Sequence, residues 1–190
     1  SKDYRSWGSF FYDQKNDALR APIKIRDASA TEMLTYSFDK VSKNAAELEL
    51  TWDKKQFPVK IEFDVDKIVM DNAAQELKGP TGFGWQGYFS AANYALQNNA
   101  NVDEALAWID KAIAQNKTFN TLNVKSGLLN AKGNTDEAGK VMNEAMAIAT
   151  ENELNLYAYN LLNSGQQDKA IEIFVLNTKK HPESANVWDS

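Results

Sequence analysis

The hydrophobic pattern divides the chain into two halves with different periods. Up to about residue 66 apolar and polar positions alternate with period two, the signature of strands with one face against a core. In the first run Trp7, Ser9 and Phe11 alternate with Gly8, Phe10 and Tyr12. Leu19, Ala21, Ile23 and Ile25 form a second, and Leu34, Tyr36 and Phe38 a third. A fourth sets Leu48, Leu50 and Trp52 inward, with Glu47, Glu49 and Thr51 outward. The fifth is Phe57, Val59, Ile61, Phe63 and Val65, with Pro58 marking an edge or a strand start. Polar links at 13–17 and at Asp53-Lys54-Lys55 read as hairpin turns. The expectation is a five-stranded antiparallel meander over 1–66. Its single apolar face needs a second layer. Asp66 is placed to cap a linker helix over 67–80 through Ile68, Val69, Ala73 and Leu77, which Gly79-Pro80 stops.

From about Gly84 the period becomes 3.6 and the chain repeats itself. A small residue, a large apolar residue four later and a small residue three later recur as Ala105-Ile109-Ala112, Ala138-Met142-Ala145 and Ala170-Phe174-Asn177. The steps are 33 residues (105 to 138) and 32 (138 to 170). Sixteen positions before each leading alanine stands Phe89, Leu122 or Leu154, and five before it stands Ala100, Gly133 or Gly165. Small residues let two helices cross closely, and large ones fill the seam to the next pair. These segments resemble the tetratricopeptide repeat, which implies an α-α superhelix over 81–190. Pro182 ends the third unit, and Trp188 stands where a fourth would place a large residue. The fold class expected is therefore α+β.

Composition narrows the partners. The 190 residues are 43% hydrophobic and 25% charged, ordinary globular values. A net charge of -5 argues against nucleic acid, whose phosphates call for clustered Lys and Arg. No apolar run reaches the roughly 18 residues of a membrane span. Cysteine is absent, which removes disulfides, thiol catalysis and thiolate metal sites.

Candidate chemistry is sparse. The one histidine, His181, reads as a solvated residue at a repeat end, so no Ser–His–Asp arrangement and no metal site is expected. Gly79-Pro80-Thr81-Gly82-Phe83-Gly84 reads as a tight turn rather than a phosphate loop. Asp64, Asp66 and Asp71 read as solvated acids, and Trp52 and Trp108 as core. No catalytic residue and no cofactor is expected. The repeat surface carries more. Projection from the leading alanines puts Ser90, Tyr94 and Asn98, then Asn123, Gly127 and Asn130, then Asn155, Tyr159 and Asn163 on the groove side of the first helix in each pair. Asparagine offers a donor and an acceptor, so a row of them suits an extended peptide backbone. Tyrosine adds apolar area with a polar tip. The same set caps helix ends equally well. The absence of Lys and Arg from these positions argues against a bound C-terminal carboxylate.

Trp7-Gly8-Ser9-Phe10-Phe11-Tyr12-Asp13 with Asp17-Ala18-Leu19-Arg20, then Leu34-Thr35-Tyr36-Ser37-Phe38, Leu48-x-Leu50-x-Trp52 and Gly82-Phe83-Gly84-Trp85-Gln86-Gly87, is similar to a bacterial family, the domain of unknown function 2911. The likeness covers roughly residues 4 to 115 and places this chain at the C-terminal part of the family pattern. It implies a periplasmic or secreted protein whose signal peptide was removed or trimmed, and further strands upstream. Packing against that upstream half or a second chain would cover the sheet. The leading expectation is a non-catalytic scaffold of the bacterial envelope that binds a protein or extended peptide. The alternative is a small molecule or glycan held between sheet and helices, near Trp7, Tyr12 and Trp85.

Overall fold

A computed structural model describes Trp7 and residues 10–189. They form two compact units, 1–65 and 66–190. The first is β, with a two-stranded antiparallel sheet, and the second holds seven helices, so the chain is α+β.

The first unit departs from a five-stranded meander. Among the described residues it has two long strands, β1 (Arg26–Asp39) and β2 (Ala45–Glu62). Gly8 and Ser9, in the first expected run, lie outside the described residues. Phe10 and Phe11 form a turn, and Gln14–Asn16 a 3₁₀ turn capped by the Asp13 side chain. Exposed bonds staple this stretch: Tyr12 Oη donates to Asp17 at 2.9 Å, and Arg20 Nε at 2.5 Å. The second run is irregular up to the start of β1 at Arg26, the third lies within β1, and the fourth shares β2 with the fifth as far as Ile61, Phe63 lying beyond the strand and Val65 opening the first helix.

β2 nonetheless reverses. Fully extended, its 18 residues would span about 60 Å. Yet the residues flanking it meet, the amide of Phe63 donating to the carbonyl of Asn44 at 3.0 Å. Within it Gln56 Nε2 donates to Glu49 at 2.5 Å. Both contacts are centred on Asp53, which takes the left-handed φ of 50° that aspartate tolerates. The expected turn at Asp53 is thus a reversal inside one element. β1 follows the bend with register irregularities between Asp27 and Thr31 and between Thr31 and Thr35.

The faces of the ribbon also differ from expectation. Glu47 and Glu49 are buried, at 8% and 6% exposure, while Trp52 on the apolar face is 58% exposed. Leu34, Tyr36 and Phe38, opposite that part of β2, are more than half exposed. Charge explains the burial of the acids. Arg26 donates to both oxygens of Glu47, at 2.5 and 3.0 Å, and Lys40 Nζ adds a third bond at 2.8 Å.

The second unit is built from paired helices. A first helix, α1 (Val65–Glu76), buries Met70 and precedes a 3₁₀ turn at Pro80–Phe83. Asp66 stands in the first turn of α1 and accepts from Tyr94 Oη at 2.7 Å. Then come α2 (Trp85–Asn98) and α3 (Val102–Gln115), α4 (Phe119–Ala131) and α5 (Thr135–Ile148), α6 (Glu151–Asn163) and α7 (Gln167–Lys180). Residues 99–101, 132–134 and 164–166 join the members of each pair, and the helices of a pair pack together. Gly133 and Gly165 reverse the chain at positive φ; in the first pair Asn99 and Asn101 take that conformation instead. The recurring small residues within the helices are the buried ones, while Met142 and Phe174 are half-buried. Ala105 and Ala170 are 0% exposed and Ala138 1%, and Ile109, Ala112 and Ala145 are fully covered. One apolar cluster joins α1 to α4 around Ile109 and Trp108, and a second joins α4 to α7 around Leu122 and Leu154.

Candidate functional site

The residues singled out by projection do not share one site. Tyr94 lies beside Ser90 at a hollow of about 440 Å³ between α1 and α2. Its hydroxyl is bonded to Asp66, a bond that, with burial, raises its pKa. Asn98 donates to the carbonyl of Tyr94 at 2.9 Å. The α carbon of Gly127 faces Leu96 so closely that a Cβ there would lie 2.7 Å from Leu96 Cδ2, which puts it in the α2–α4 seam. Asn130 and Asn163 are exposed near helix ends. Asn155 is half-buried, with its Oδ1 covered and without a hydrogen-bond partner. Tyr159 is 40% exposed and meets Phe174 edge-on, centroids 5.1 Å apart.

Asn123 alone of the set lines a cleft of about 200 Å³ between α4 and α6. Local sequence builds this cleft. Thr118 and Thr121 form a capping box that starts α4, so Phe119, Asn120 and Asn123 stand on its first turns. Thr150 and Glu153 do the same for α6. Phe119 and Tyr157 meet edge to face, 5.5 Å apart, and tie the two helices into a floor. Burial raises the Tyr157 pKa, so its hydroxyl stays protonated near neutral pH. On this floor stand four carboxamides, Asn120, Asn123, Asn152 and Asn160, beside Leu156. The one acid, Glu153, is held by the Thr150 amide at 3.0 Å and hydroxyl at 2.9 Å. The cleft therefore presents four neutral carboxamides and one hydrogen-bonded carboxylate over an apolar base.

Projection overlooked Asn120, Asn152 and Asn160. The stripe Asn152, Leu156, Asn160 keeps the same i, i+4, i+8 spacing as Asn155, Tyr159, Asn163 on a neighbouring face of α6. Spacing finds such stripes; the seat of α6 on Phe119 selects between them.

Elsewhere the chemistry is structural. His181 is half-buried and its Nε2 is covered without a partner, so it is not a solvated histidine. Gly82 and Gly87 mark close packing: a Cβ on either would strike the backbone of Leu77 or Thr81. Among the described residues no group of three His, Asp or Glu side chains converges, and no helix is long and apolar enough to cross a membrane.

Residues 1–61 match the family model for a protein of unknown function (DUF2911). The match ends within β2, short of the likeness read at residues 82–87. No curated protein and no solved structure matches the chain.

Proposed function

We propose that this chain is a non-catalytic interaction scaffold of the bacterial envelope. Its three helix pairs form a tetratricopeptide-like superhelix that holds an extended peptide of a protein partner. The observation that carries the reading is the α4–α6 cleft, where four asparagine side chains rise over Phe119, Leu156 and Tyr157 and the single carboxylate, Glu153, is hydrogen-bonded to Thr150. A carboxamide pairs with a backbone amide whatever the peptide's sequence, and the aromatic floor takes an apolar side chain. Recurrence of buried small residues at steps of 33 and 32 supports the repeat assignment. The envelope location rests on the family likeness.

A displayed library of unstructured peptides tests this. Selected peptides, resynthesised with blocked ends, should bind the full chain saturably. Asn123→Ala with Asn160→Ala removes two hydrogen-bonding groups at about 0.5–1.5 kcal/mol each, so affinity should fall by about 5- to 150-fold. Equal binding by the double variant, or a requirement for a free C-terminal carboxylate, would sink the reading.

A further inference from the structure

The reversal of β2 creates a second concave site, within the first unit. Asp53 turns the strand at φ 50°, and β1 opposes it through Thr31 with a register irregularity on either side. Such irregularities re-aim neighbouring side chains. Here they open a hollow of about 670 Å³, a size usual for small-molecule sites. Its walls include two aromatic rings, Trp52 and Phe57, and two carboxylates, Glu32 and Asp53. Trp52 is 58% exposed, so its ring is open to a ligand.

The unpaired charge of the hollow is negative. Lys55, on the same wall, gives its ammonium to Asp27 at 2.6 Å. Thr31 gives its hydroxyl to the carbonyl of Ser29 at 3.1 Å. Neither Glu32 nor Asp53 has an ion pair among the described residues. What remains is two carboxylates without an ion pair and two aromatic rings, beside the Trp52 indole N–H and the Lys55 ammonium that Asp27 already neutralises. A ligand that brings positive charge meets both carboxylates and the two aromatic rings.

We propose that this hollow binds an organic cation, an alkylammonium or quaternary ammonium group, between Trp52 and Phe57 with Glu32 and Asp53 as counter-charges. The site is separate from the helical cleft and does not depend on the peptide reading.

The test is an NMR titration of the full chain at constant ionic strength, following the Trp52 indole N–H, assigned with Trp52→Phe. Choline is the cationic probe, and 3,3-dimethylbutan-1-ol, its uncharged isostere, is the control. Choline should shift the signal saturably and the isostere should not. Asp53→Asn keeps a residue that accepts positive φ, so the bend survives while the charge goes. It should weaken choline binding at least fivefold, and Glu32→Gln, on the exposed face of β1, should do likewise. The proposal is overturned if choline gives no saturable shift, if the isostere shifts the signal as much, or if both charge-removing variants, with wild-type melting temperatures, bind choline unchanged.

Discussion

Glu47 and Glu49 show at the residue scale how neighbours set a side chain's state. Hydrogen bonds from Arg26, then Lys40, hold the Glu47 carboxyl down at about 2, against an ordinary 4.5. Burial first, then its neighbour Glu47, pushes Glu49 upward. A depressed carboxyl stabilises the fold above its ordinary pKa, and that stabilisation is lost as pH falls through the folded value. Amide protection of β1 and β2 should therefore weaken between about pH 4.5 and 2, and Glu47→Gln should flatten the change. Glu49 acts in the opposite sense, its contribution being lost as pH rises through its raised pKa. Two glycines give a paired prediction. A Cβ on Gly82 would lie 2.0 Å from the Leu77 carbonyl oxygen, whereas one on Gly139, inside α5, meets nothing within 4 Å. Gly82→Ala should cost about 1–3 kcal/mol or more in urea unfolding. Gly139→Ala should gain about 0.5–1 kcal/mol from helix propensity alone.

Among elements, helix ends were legible and strand partners were not. Capping boxes, turn glycines and Pro182 are local signals, and the observed helices start and stop beside them. Long-range caps leave no such mark. The Lys180 ammonium, at the end of α7, donates to the carbonyls of Met146, Ala147 and Ala149 at 2.8, 3.1 and 3.0 Å, closing the end of α5 from 31 to 34 residues away. A cation there also meets the negative end of the helix dipole. Lys180→Met keeps the apolar stem and removes the donors, so it should lower stability by about 1–2 kcal/mol in urea unfolding, whereas Lys179→Met, at an exposed neighbour, should be near neutral. The strand runs failed differently. Alternation in Leu48, Leu50 and Trp52 marked the pleat correctly but not which face would be covered. Burial went to the Glu47 side because Arg26 and Lys40 neutralise it.

For the molecule as a whole, the two units differ in what holds them. Every buried apolar residue among those described belongs to 66–190; the first unit buries Glu47 and Glu49. A two-stranded ribbon without an apolar core is marginal by itself. The helical unit has two clusters, and α1 contributes Met70, Ala73, Ala74 and Leu77 to the first. A fragment of 66–190 should then unfold cooperatively by circular dichroism. One of 84–190, stripped of α1, should unfold at a clearly lower urea concentration, since burying Met70 alone is worth about 1.5–3 kcal/mol. Equal midpoints for the two fragments would show that α1 adds nothing to the array.

The sequence by itself determined the change of period near residue 66, the three helix pairs, their turns and the small residues at their crossings. Each of these is written within a few residues of where it acts, as a cap, a turn conformer or a helical stripe. The doubling back of β2, the burial of two glutamates, the choice of Asn152 and Asn160 over Asn155 and Tyr159, and the hollow beside Trp52 were decided by tertiary structure. They depend on which side chains far apart in the chain reach one another, such as Arg26 with Glu47 or Phe119 with Tyr157. Periodicity specifies that a face exists; only its partner specifies whether that face is covered, charged or open.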